Sequence, residues 1–186
     1  MSNTARVGSV VFWLGLTFWI AALASGAIAA MHVFGTLPKI GLTLSEFGSL
    51  PVDDQARIAG GKVMVGVFGT VNGVQCIGAA LTMLGLVIMR ISTRRADRSW
   101  LRIGRTVCVL IALALLAYQL AVLSPRLNHE LHAYWESAAV GDVSAARMHR
   151  AAFDADHPRS TQIFSATLIA LLLAVVSAAA APPPRA

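Results

Sequence analysis

Five histidines and the acids beside them are the residues of this 186-residue chain best suited to chemistry. His129 and His132 stand three positions apart, so on a helix they share a face. Glu130, Glu136, Asp154, Asp156 and His157 accompany them in the same polar stretch, with His149 between. Imidazole and carboxylate together suit zinc, copper or iron, and ligands one helical turn apart can hold one ion. A transition-metal site built from His129, His132 and His157, with Asp154 or Asp156 orienting the imidazoles, is the chemistry this pattern offers. Heme would demand two facing histidines inside apolar helices, and only His32 comes near one. The plainer reading is that histidine is disfavoured in lipid and collects wherever the chain is polar, solvated or capping a helix. No H-E-x-x-H, G-x-S-x-G or P-loop pattern occurs, so no residue is assigned a catalytic role.

A second polar set is Asn72, Gln75, Gln119 and Gln162. Asn72, Gln75 and Cys76 follow one another at i, i+3 and i+4, and an unpaired amide in lipid is costly, so this face is expected to look inward. Such groups either line a small-solute path or bond one helix to another. Cys76 and Cys108 both lie in apolar stretches and read as small buried residues rather than a disulfide.

The elements that must position these residues follow from where charge is missing. No Asp, Glu, Lys or Arg lies between Arg6 and Lys39, Lys62 and Arg90, Arg105 and Arg126, or Arg159 and Arg185, and each gap is at least 20 residues. About 20 apolar residues in a helix cross a hydrocarbon core of about 30 Å. The backbone there can be satisfied only within the segment. At 56% hydrophobic and 13% charged the chain sits well below the roughly 25% charge of a soluble domain. The expected fold is all-α: an integral membrane, antiparallel four-helix bundle with short amphipathic outer helices. One domain is expected over residues 1–186, with spans near 8–34, 61–89, 106–123 and 160–181. The first apolar run is too long for a signal-peptide core and reads as a retained helix.

Small residues mark the expected helix contacts: Ala22, Gly26 and Ala30 on the first span, and the G-x-x-x-G of Gly69 and Gly73 on the second. Gly35 and Pro38 should stop the first helix, Pro51 to Asp54 should open the second, and Pro182 to Pro184 should end the fourth. Leu42, Leu44, Phe47 and Leu50 suggest a short amphipathic helix between the first two spans. Beyond the third span, Leu127, Leu131, Tyr134 and Trp135 keep helical spacing, so the helix should continue past Pro125. Gly141 and Asp142 mark a turn, and Val143 to Phe153 reads as a further helix capped by Asp142 or Ser144.

The net charge of +6 gathers at Arg90, Arg94, Arg95, Arg98, Arg102 and Arg105. That cluster is a membrane signal and not a nucleic-acid one. Basic residues in short loops stay cytoplasmic, which gives N-in and C-in, and they can touch anionic lipid head groups. A bacterial inner membrane, a lipid bilayer partner and a homo-oligomer are the expectations that follow.

Phe34-Gly35-Thr36-Leu37-Pro38, Tyr118 with Ser124-Pro125-Arg126-Leu127, and Phe153 through Thr161 with His157-Pro158 together carry a family likeness. The chain resembles the uncharacterised four-helix membrane family typified by transmembrane protein 205. His32, and the segment Asp142 to Arg147, depart from that pattern. The resemblance implies an integral membrane protein, brings no established activity, and singles out Pro125-Arg126 and His157. Physically, His157 with Asp154 and Asp156 can meet Pro125-Arg126 as a structural clasp between the third and fourth helices. Three functions compete: a non-enzymatic structural or transport-associated membrane protein, a metal- or heme-linked one using the outer histidines, and an oligomeric small-solute channel working through the Asn72–Gln75 face.

Overall fold

A computed structural model describes residues 2–92 and 100–180. Arg94, Arg95 and Arg98 of the basic loop, and Pro182 to Arg185, lie outside the described residues. The described chain is all-α, with helices α1 (Asn3–Thr36), α2 (Val52–Ser92), α3 (Trp100–Tyr118), α4 (Ser124–Ala139) and α5 (Val143–Ala179). Four helical stretches are long and apolar enough to cross a membrane: Asn3–Ile40, Val52–Ser92, Trp100–Ala139 and Val143–Ala179.

The helix ends follow local chemistry. α1 stops at Thr36 beside Gly35 and Pro38, and α2 opens directly after Pro51 with Asp53 and Asp54 in its first turn. Where a short amphipathic helix was expected, the chain makes two 3₁₀ turns, Leu37–Ile40 and Ser45–Phe47. α3 runs into α4 through a π turn, Gln119–Leu123, in which the Ser124 N–H reaches back to the Gln119 carbonyl. The cause is Pro125: its ring would strike the carbonyl of Ala121 in a regular helix, and one wider turn makes room for it. Nor is Val143–Phe153 a separate helix. α5 is continuous through Pro158, so the proline costs a backbone bond without ending the helix. Asp142 caps it, accepting from the Ala145 N–H at 3.0 Å, and Gly141 takes the left-handed φ of 78° that the preceding turn needs.

The described residues fall into two compact units. The first comprises those of Met1–Leu23, Asn72–Ala117 and Ile163–Ala186. Its core is Phe12, Leu16, Trp19 and Leu23 of α1, Val109, Ala112 and Leu116 of α3, and Leu171 and Ala174 of α5. α1 and α2 meet backbone to backbone. A Cβ on Gly85 would lie 2.6 Å from the Phe12 Cα, one on Gly78 would lie 2.8 Å from the Trp19 N, and one on Gly15 would lie 2.7 Å from the Gly78 carbonyl oxygen. Between helices in lipid there is no hydrophobic drive, and a close approach of this kind is what supplies van der Waals attraction. The small-residue seam is thus real but displaced from its expected place. A Cβ on Gly69 or Gly73 would meet nothing within 4 Å, because that side of α2 faces outward. Ala22 is buried in this unit.

The second unit comprises Ala24–Val71 and Tyr118–Gln162. Gly26 is buried there and Ala30 half-buried. Its core gathers Phe47, Leu50, Ile58, Tyr134, Trp135, Ala138 and Ala146, with Leu44, Val65 and Leu131 against it. Gln55 ties the 3₁₀ segment down: its Oε1 accepts from the Leu44 N–H at 2.6 Å and its Nε2 donates to the Leu50 carbonyl at 2.8 Å.

Candidate functional site: a charged clasp on the second unit

The polar residues of α4 and of the first half of α5 face each other through two polar contacts, and a third contact ties α5 to α2. Asp156 is the hub of the first: its carboxylate accepts from Arg126 Nη2 at 2.8 Å and from Arg159 Nη1 at 3.0 Å. Arg159 reaches it because i and i+3 share a helix face, and Arg126 reaches it from α4. The Asp156 side chain is 15% exposed while both arginines are mostly solvated, so water screens part of the attraction. The second contact joins His149 Nδ1 to Glu130 Oε2 at 2.8 Å. The third joins α5 to the start of α2: Arg150 Nη1 donates to Asp54 Oδ1 at 2.7 Å, with Asp154 one turn on at 3.7 Å.

Beside the first two contacts lies a cleft of about 500 Å³. Pro125, Arg126, His129 and Glu130 line it from α4, and Ala152, Ala155 and Asp156 from α5. The alanines keep the α5 wall low, which is why a space remains there. Of its charged walls, Arg126 and Asp156 pair with each other, and Glu130 pairs with His149 outside the lining.

The expected clasp therefore forms in part. Arg126 and Asp156 meet. Asp154 instead turns to Arg150, and His157 stacks on Phe153 with ring centroids 5.0 Å apart. Pro125 lines the cleft and sets the π turn. The sequence reading missed Glu130–His149 and Arg150–Asp54. Their partners lie 19 and 96 positions apart, and no spacing rule reaches that far.

The three histidines of the expected metal site point to different partners. His129 is exposed at the cleft, His132 Nδ1 sits 2.7 Å from the Asn128 carbonyl with its ring beside Trp135, and His157 lies on Phe153. Among the described residues no three His, Cys, Asp or Glu side chains converge on a point where one ion would sit.

The amide set divides between the units. In the first, Gln75 is buried, accepts from Trp19 Nε1 at 3.3 Å and donates to Asn72 Oδ1 at 3.3 Å. In the second, Gln119 Nε2 donates to Ser160 Oγ at 3.0 Å and to Ser124 Oγ at 3.2 Å, which pins the π turn to α5. Gln162 is exposed. Cys76 departs from the inward face expected of it: it is exposed, and it and Cys108 are free thiols. Gln75 takes the inward position because its longer arm reaches Trp19, and that rotation turns the next residue out.

Comparison with protein-family models, with curated proteins and with solved structures finds no match.

Proposed function

We propose that this chain is a four-span integral protein of a bacterial inner membrane, non-enzymatic, with a structural or transport-associated role. Both termini and the basic loop would face the cytoplasm, and the charged clasp would face the other side. In this reading it is a relative of the four-helix family typified by transmembrane protein 205.

One observation carries it. The outward faces of the long helices are apolar where a soluble bundle would be charged: Val10, Leu14 and Phe18 on α1, Ile77 and Leu84 on α2, Leu110 and Ile111 on α3, and Leu173 and Val176 on α5 are all at least 47% exposed. Lipid is a solvent in which such a surface is stable, and water is not. The structural role is supported by how the polar groups are used. Gln75 and Gln119 hold helices together, and the acids of the clasp pair with arginines and a histidine. A solute path along Asn72 and Gln75 is disfavoured because Gln75 is 2% exposed and engaged at both ends of its amide.

The test is fractionation with topology mapping. The protein should stay in the membrane pellet after alkaline carbonate washing. A single cysteine at Val140, which is 81% exposed, should react with an impermeant maleimide added outside intact cells. Release by carbonate would refute membrane insertion, and labelling only after lysis would invert the orientation.

A further inference from the structure

We propose that Arg105 seats the phosphate of an anionic membrane phospholipid. The idea rests on the membrane reading above and adds a ligand to it.

Arg105 is held in place before any lipid arrives. Its guanidinium carbon lies 5.1 Å over the ring of Phe12, a residue 1% exposed and locked by the backbone contact with Gly85. Such a cation–π contact orients the planar fork but does not neutralise it. The Arg105 Nε is buried and has no hydrogen-bond partner. Among the described residues no carboxylate pairs with this guanidinium, and its neighbour one turn away, Arg102, carries the same sign. Arginine does not shed its proton to escape this position. A half-buried, permanent charge with a bare N–H, and with no carboxylate partner among the described residues, is a seat for an anion.

Depth selects which anion. Trp100 opens α3 at 83% exposure, and an exposed tryptophan at a span's end settles at the head-group layer. Arg105 lies five residues further on, about 7.5 Å along the helix, within the distance over which a long arginine side chain extends back to the head-group layer. A phospholipid already carries its phosphate to that region, whereas free phosphate would have to leave water to reach it. Two phosphate oxygens match the guanidinium fork.

The experiment uses the whole protein in a neutral detergent. Phosphatidylglycerol, phosphatidylcholine and inorganic phosphate are added in separate series, with bound lipid counted by native mass spectrometry and melting temperature followed alongside. The wild type should retain phosphatidylglycerol and melt higher with it, with little effect from phosphatidylcholine or inorganic phosphate. R105Q should weaken retention roughly tenfold, the loss of one charged hydrogen-bond partner. R105K should keep part of it, and R126Q should behave as wild type. Equal retention of phosphatidylglycerol by R105Q, or equal retention of phosphatidylcholine by the wild type, would overturn the proposal. So would a melting rise with inorganic phosphate that matches the lipid's. If R105Q does not fold, R105K and the wild-type lipid comparison decide the matter. A protein that stays monodisperse without detergent would sink the membrane reading itself, a result distinct from any of these.

Discussion

The indole N–H of Trp19 reaches the amide oxygen of Gln75 at 3.3 Å, joining residues 56 positions apart in a site from which water is excluded. Trp19 is fully buried and Gln75 nearly so. The amide hands its own N–H on to Asn72, so three side chains form a short relay that ties α1 to α2. A tryptophan and a glutamine buried together satisfy each other where neither could stand alone.

Trp19→Phe keeps most of the apolar bulk and removes the donor. It should cost about 1 kcal/mol, near the upper range of polar contacts measured inside membrane bundles. Gln75→Leu in the Trp19→Phe background should restore part of the loss, because the orphaned amide is gone. Reversible unfolding in mixed detergent micelles would read both. A double variant no better than Trp19→Phe would refute the relay.

The helix seam makes a sharper prediction by position. Gly85→Ala puts a methyl group into the Phe12 backbone and should cost about 1–3 kcal/mol, with a matching fall in melting temperature. Gly73→Ala meets open space within this chain and should change stability little or raise it slightly. Melting of the two variants in the same detergent separates a seam at Gly78 and Gly85 from one at Gly69 and Gly73.

The ionic contacts should rank by how far water is kept from them. Arg150–Asp54, with side chains 30% and 22% exposed, should couple by about 1 kcal/mol in a double-mutant cycle. Arg126–Asp156, with the arginine 60% exposed, should couple by less and fade as salt is added. A cycle in which the Arg126 pair is the stronger would overturn this ranking.

Asp142 gives a pH signature. The Ala145 N–H and the Ser144 hydroxyl hold its carboxyl below the usual value of 3.8. A carboxylate whose folded pKa is depressed adds stability above its unfolded pKa, and that share is lost as the pH falls below about 3.8 toward the folded value. Asp142→Ala should lower the melting temperature at pH 7 and make little difference once the carboxyl is protonated. A constant gap between variant and wild type across pH 3 to 7 would contradict the cap.

The helical fold was legible because lipid leaves so few options. Charge-free runs of 20 residues announce helices whatever their detailed sequence, and Pro51, Gly35 and Asp142 mark ends by local chemistry alone. The close seam was read from G-x-x-x-G at Gly69, yet it lies at Gly78 and Gly85. The spacing shows that a helix has a small-residue face, but not which of several such faces meets its neighbour. Val143 to Phe153 read as a helix of its own, yet α5 runs on through Pro158, because the rest of the helix holds it through a single missing bond. Arg126–Asp156 could be anticipated from polar residues bordering adjacent spans. Arg150–Asp54 and Glu130–His149 could not, since which turn of one helix faces which turn of another is set by packing at a distance.

The 37 residues of α5 make a rod about 55 Å long, while the oily layer of a bilayer is only about 30 Å thick. In a membrane, nearly half of that rod must overhang into water, and the overhang is the half that bears Arg147, Arg150, Asp154, Asp156 and Arg159. One helix therefore answers to two solvents: dissolved ions reach its charged end and leave its oily end untouched. The ionic strength of the surroundings becomes a dial that loosens the charged end of this helix alone.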